Sequence, residues 1–264
     1  YLSNWGDHIL LQYFKSAKDV GFFSTGYQVM QALAGFSSSV SILYLPKLID
    51  QKLEERGVEQ DYLTRVAPTI ISLWLIILIP TFVIIPWVFT LVFGSDFLEA
   101  IPVVLLLCAA VPGSIFSATH FILYELQGRL GKASLINATT LALNFIVSLA
   151  LVVRLGSIGV ALGTAISFFL TQMLCVLDQH KYLKIPMKRM LVLLIFCTFF
   201  GACQCIIGVN YLHRIVTAIL SLVCLIALAR QFGIIDRIIL TRLLSGKLLA
   251  FQPLFFWLFI KKKQ

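Results

Sequence analysis

A chain of 264 residues with 12% charged and 59% hydrophobic residues, and a mean hydropathy of +0.95, cannot coat a soluble domain with charge. An ordinary globular fold is excluded. The net charge of +9 calls for no nucleic-acid partner, because basic loops beside an anionic lipid leaflet are expected of a membrane protein.

The apolar residues come in blocks of about 20, the number of helical residues that crosses a hydrocarbon core. A run such as Ile70 to Phe93 is apolar on every face, whereas a barrel strand alternates. The fold class is therefore all-α: a polytopic transmembrane bundle of about eight spanning helices and an interfacial C-terminal tail. The spans are predicted at 1–16, 20–46, 65–93, 97–126, 133–153, 157–180, 190–209 and 213–232. The first is short and opens at Tyr1, so the chain is expected to begin inside a helix of a longer protein. Residues 50–64, rich in acids, read as a solvated loop or a helix extension. Two regions follow, a bundle over 1–232 and a tail over 233–264, in which Ile234 to Lys247 suits an interfacial helix. The next apolar run, Leu248 to Ile260, holds Pro253 and is too short to span.

Basic residues near helix ends are retained on the cytoplasmic side. With these spans, one side receives 17 Lys and Arg and the other only Lys15, Lys18, Arg154 and Arg214. The C-terminus is expected to be cytoplasmic.

Polar groups are costly in a bilayer, so their spacing is informative. On the second helix Ser24, Gln28, Gln31, Gly35 and Ser38 fall on one face; on the fourth, Gly113, Ser117, His120, Tyr124 and Gln127 do so. Asn137, Thr140, Asn144 and Ser148 repeat the pattern on the fifth helix, as do Thr164, Ser167, Thr171 and Cys175 on the sixth. Close helix packing accounts for such stripes as readily as a cavity does. On the second helix two Gln beside Tyr27 exceed what packing needs, and these groups suit sugar hydroxyls and pyranose faces. Asp7, in the first helix, stands either as a functional carboxylate or as the partner of a cation elsewhere. His120 reads as a titrating group or as a satisfied core histidine. Glu125 and Arg129 are placed to pair at i,i+4. No Gly-rich phosphate loop or HExxH occurs, and Asp96 and Glu99 sit at a helix start where acids meet the dipole. No enzyme activity, cofactor or metal is expected.

Several landmarks stand in one order: Asp7, Val20-Gly21-Phe22-Phe23-Ser24-Thr25-Gly26-Tyr27, Leu45-Pro46-Lys47, Val92-Phe93-Gly94-Ser95-Asp96-Phe97, Gln127-Gly128-Arg129, Asn144, and the glycine-rich run Leu155 to Ser167. In this the chain resembles the second half of the polysaccharide transporter branch of the multidrug, oligosaccharidyl-lipid and polysaccharide exporter superfamily, which includes the O-antigen repeat-unit flippases. The resemblance covers residues 5–180 by motif and the last two helices by hydropathy alone. It implies a parent of twelve to fourteen helices in a bacterial inner membrane, whose N-terminal half is a partner of this one. Two bundles would rock about a central cavity and move an undecaprenyl-diphosphate-linked oligosaccharide through it, among membrane lipids. The cavity residues implied are Asp7, Gln12, Tyr27, Gln28 and Gln31, with His120 and Asn144 added from the polar faces. Two alternatives stay open: an ion-coupled drug exporter of the same superfamily, which Asp7 favours, and a membrane-embedded polysaccharide polymerase or ligase, which the short outer joints disfavour.

Overall fold

The computed structural model describes residues 2–54, 57–206, 210–243 and 252–259, with backbone alone for 2–4, 36–54, 205–206, 238, 242–243, 252 and 254. Every regular element among them is helical. Eight helices follow in sequence: α1 (Leu2–Phe14), α2 (Ala17–Glu54), α3 (Val58–Phe93), α4 (Ser95–Leu126), α5 (Leu130–Leu155), α6 (Ser157–Leu183), α7 (Lys188–Ile206) and α8 (Tyr211–Phe232). Two short ones close the chain, α9 (Arg237–Leu243) and α10 (Gln252–Phe259). Helices α3, α4, α5, α6 and α8 are long and apolar enough to cross a membrane. The acidic stretch after the second predicted span is helical to Glu54 and from Val58, where α3 opens and passes through a π-helical turn, Tyr62–Val66.

Apolar side chains occupy both the inside and the outside of this bundle. Phe23, Leu75, Phe82, Leu107, Phe116 and Phe200 are buried together, while Ile84, Trp87, Leu91, Val153, Ile219 and Leu220 are exposed. A soluble protein rarely presents so much apolar surface. A bilayer asks for it.

Contacts sort the joints into two groups, one at each end. At the first end Lys18 bonds Glu99 at 2.6 Å and Asp19 reaches Ser157, joining the α1–α2, α3–α4 and α5–α6 turns. At the second, Gln60 donates to the Leu183 carbonyl and Arg65 lies 4.0 Å from Asp236, joining the start of α3 to the end of α6 and the segment after α8. Successive helices therefore alternate in direction. The α5–α6 joint is the single residue Gly156, whose φ of 58° suits a residue without a β-carbon. Asp19 serves as a cap for α6 from another helix, accepting from Ser157 Oγ at 3.1 Å and from its backbone N–H at 3.4 Å. Burial works against its charge, but hydrogen bonds from Ser16 and Ser157 outweigh this and hold the Asp19 carboxyl below the ordinary range.

Prolines in α3 free carbonyls that arginines then occupy. Pro86 has no N–H for the carbonyl of Phe82, four residues back; Arg214, fully buried in the first turn of α8, donates Nη1 there at 3.3 Å. Its Nη2 donates at 3.4 Å to the Gln204 carbonyl in the last turn of α7. Pro68 likewise leaves the Thr64 carbonyl without its helical donor, and Arg189 Nη1 supplies one at 2.9 Å. Thus Arg214, a basic residue on the side predicted to be poor in them, satisfies two buried backbone groups. In α4, Pro102 and Pro112 instead open two helical segments, at positions that lack an acceptor anyway.

The segment after α8 is docked on the bundle. Ile234, Ile235, Leu240 and Phe259 are buried in the common core, the Asp236 N–H donates to Thr69 Oγ1 at 3.0 Å, and Arg237 lies 4.8 Å from the Phe256 ring centre. Trp257 on α10 is exposed, and the lysines that end the sequence lie outside the described residues.

The arginine–proline coupling is open to measurement by thermal unfolding in detergent. Arg214→Met should cost about 2–3 kcal/mol, the range for losing hydrogen bonds from a charged donor. In a Pro86→Ala background, where residue 86 regains its N–H, the cost should shrink by about 1 kcal/mol; an unchanged cost would deny the coupling.

Candidate functional site

The polar faces of α5 and α6 meet each other. Thr140 and Thr171 share a short hydrogen bond between their hydroxyls, and a β-carbon on Gly163 would strike Ser148. One level further, Asp7 of α1 enters the seam. Its Oδ2 accepts from Asn144 Nδ2 at 3.0 Å and from Thr164 Oγ1 at 3.2 Å, while Ser148 Oγ donates to Asn144 Oδ1 at 3.3 Å. The carboxylate is 3% exposed and Asn144 9%. Each polar group here answers another, as a low-dielectric setting requires.

A cleft of about 550 Å³ opens beside this cluster. Asp7, Asn144 and Thr164 form its polar end, and Asn137, Thr140 and Ser167 continue its wall along α5 and α6. Ser117 and Phe121 of α4 and Tyr27 of α2 face the same space. Tyr27 is half-buried, stacks on Phe23 at 5.9 Å and hydrogen-bonds Gln31. The cleft thus combines hydroxyls and amides with three aromatic rings, Phe168 of α6 being the third, and a carboxylate.

Of the residues singled out from sequence, Asp7, Tyr27 and Asn144 line this cleft. Gln12, Gln28 and Gln31 are exposed on α1 and α2 and do not line it; Gln31 meets it only through Tyr27. His120 lies elsewhere, fully buried, with Nδ1 at 2.7 Å from the Phe116 carbonyl. Thr164, Ser167, Thr171 and Ser117 were legible as helical stripes but carried no mark separating a cleft wall from a packing seam. The geometry makes them both.

A second polar cluster closes the basic end and corrects one pairing. Arg129 does not turn to Glu125; Nη2 bonds Asp178 Oδ2 at 3.1 Å, and the guanidinium lies 4.0 Å from the Tyr182 ring centre. Tyr124 donates to the same carboxylate at 2.9 Å, and Lys132 is 3.8 Å from its other oxygen. Asp178, one turn from the end of α6, outcompetes Glu125 because it gathers Tyr124 of α4, Arg129 of the α4–α5 joint and Lys132 of α5 at once. Sequence spacing within one helix carries no signal for such a partner.

Replacing Asp7 by Leu removes the acceptor of Asn144 and Thr164 and leaves both donors buried. Thermal unfolding should register a loss of about 2–3 kcal/mol, whereas Asp7→Asn, which keeps an acceptor oxygen, should lose clearly less. Equal losses would mean that the cluster contributes by volume alone.

No protein-family model matches the chain, and neither does any solved structure. A curated protein of Haloferax volcanii, described as the probable low-salt glycan biosynthesis flippase Agl15, is 25% identical over 177 residues, 64% of this chain. The match takes in 36% of that protein, so the chain spans about a third of the length of the relative it matches. The chain is an all-α membrane helix bundle with a polar cleft, similar in part to a glycan-biosynthesis flippase.

Proposed function

We propose that this chain forms part of a membrane flippase that carries a lipid-linked oligosaccharide across a bacterial inner membrane for surface polysaccharide assembly. The observation that carries this reading is the cleft: hydroxyl, amide and carboxylate groups from α1, α5 and α6 turned inward beside Tyr27 and Phe121, inside a bundle whose outer face is apolar. Hydrogen-bonding groups interleaved with aromatic faces fit a sugar head group, while the lipid carrier stays in the bilayer. The partial likeness to a glycan-biosynthesis flippase supports the same class. In this reading the chain works with an N-terminal half, its C-terminus is cytoplasmic, and the cargo is an undecaprenyl-diphosphate-linked repeat unit of O-antigen type. Asp7, Tyr27 and Asn144 act on the cavity wall, and the exposed Gln12, Gln28 and Gln31 face the second bundle across the transport path. His120 contributes to packing.

A second reading, a cation-coupled exporter of small molecules, is favoured by one feature: a carboxylate deep among α1, α5 and α6, ringed by Asn144, Ser148 and Thr164. Intramembrane acids of this kind often mark ion or proton paths.

Deleting the full-length gene and restoring it with variants separates the two. The flippase reading predicts accumulation of lipid-linked oligosaccharide on the cytoplasmic leaflet and loss of surface polysaccharide, with restoration by the native gene. Asn144→Leu should cut restoration about tenfold or more, in line with about 1.4 kcal/mol or more of lost cargo contact, at undiminished membrane insertion. Normal surface polysaccharide with raised drug sensitivity would instead favour the exporter.

A further inference from the structure

A cleft of about 530 Å³ at the basic end, which shares no lining residue with the Asp7 cleft, lies between the π-helical turn of α3, the end of α6, the start of α7 and the end of α8. Its wall carries three cations, Arg65, Lys188 and Arg189, and no acid among the described residues. Lys188 and Arg189, with Met190, also form the first turn of α7, whose N–H groups have no helical carbonyl one turn earlier to meet, while the Leu191 N–H donates to the Met187 carbonyl just before the helix. The positive end of that helix and the cations therefore add on the same space. His180 also lines the cleft. It is 3% exposed, its Nδ1 lies 3.3 Å from the Ile185 carbonyl, and its Nε2 has no partner among the described residues.

The competing partners are few. Arg65 is shared with Asp61 at 3.3 Å and Asp236 at 4.0 Å, neither of which lines the cleft. Of the five guanidinium N–H donors of Arg189, the bond among described residues goes to the Thr64 carbonyl. Lys188 lies 5.2 Å from the centre of the Phe232 ring, which supplies an apolar wall. A cavity with cations, first-turn N–H groups and an unused imidazole nitrogen beside one apolar face is suited to a phosphate that hangs from a hydrocarbon-bearing group.

We propose that this cleft binds a phosphate or diphosphate group at the membrane surface, through Arg65, Lys188, Arg189 and the first turn of α7. The positive-inside rule puts this end at the cytoplasmic leaflet, where two sources share the chemistry: the headgroup of an anionic phospholipid, and a soluble diphosphate. The π-turn has a part in this, because the extra residue it inserts into the helix shifts the register in which Thr64 and Arg65 are presented to α7.

The test uses the full-length chain in nanodiscs of phosphatidylcholine, read by native mass spectrometry. One arm adds phosphatidic acid as the lipid probe, the other inorganic pyrophosphate as the soluble one. The unmutated protein should retain phosphatidic acid about tenfold better than phosphatidylcholine, or bind pyrophosphate in neutral nanodiscs; the arm that responds names the source. Arg65→Gln with Lys188→Gln should reduce that binding about fivefold or more, while Lys132→Gln with Lys181→Gln, at the same end but outside the cleft, should change it less than about twofold. Failure of the unmutated protein to bind either probe would overturn the proposal without recourse to a variant. Equal losses in the two double variants would reduce the effect to general surface charge and overturn it as well.

Discussion

A bilayer offers no water to a stray hydrogen-bonding group, so each polar atom carried into it needs an answer inside the protein. The fold is organised by that constraint. Pro86 opens a gap in the bonding of α3, and Arg214 fills it while also taking up the Gln204 carbonyl at the end of α7. Asp7 brings a carboxylate into the bundle, and Asn144, Thr164 and Ser148 converge on it. Three helices that hydropathy alone would leave free to slide are thereby fixed in rotation and depth.

The same economy explains why one seam both packs and receives. Thr140 and Thr171 lock α5 to α6 through their hydroxyls, and Gly163 lets Ser148 approach without a β-carbon between them. Small and hydroxylic residues are what close helix approach needs. They are also what leaves room beside the seam, where Ser117, Tyr27 and Phe121 complete a cleft with polar and aromatic walls. Packing and cavity were competing explanations of these stripes; side by side in space they are one arrangement.

Much of the architecture was legible because it follows from local pattern. The runs around Ile70 to Phe93 and Asn137 to Arg154 announce spans by length, and Gly94, Gly156 and Gly233 stand where helices end with positive φ. Asp7 was legible as an oddity, an acid among apolar neighbours. What could not be read were partners across helices: Asp178 drawing Arg129 away from Glu125, Asp19 capping α6, and the burial of Arg214, which hydropathy counts as one more outer charge. Gln28 and Gln31 mark the opposite limit. Their spacing sets a face of α2, yet period alone does not say whether that face meets a cleft within this bundle or a surface turned outward.

The central claim is that the α5–α6 seam borders a space water enters from within a lipid-embedded bundle. Single cysteines at Asn137, Thr140, Leu149 and Val153, in a full-length chain otherwise free of cysteine, can be treated in intact membranes with a charged, membrane-impermeant thiol reagent. The account predicts reaction at Asn137 and Thr140, and none at Leu149 or Val153 on the apolar outer face of the same helix. Reaction at neither pair, or at both equally, would contradict it.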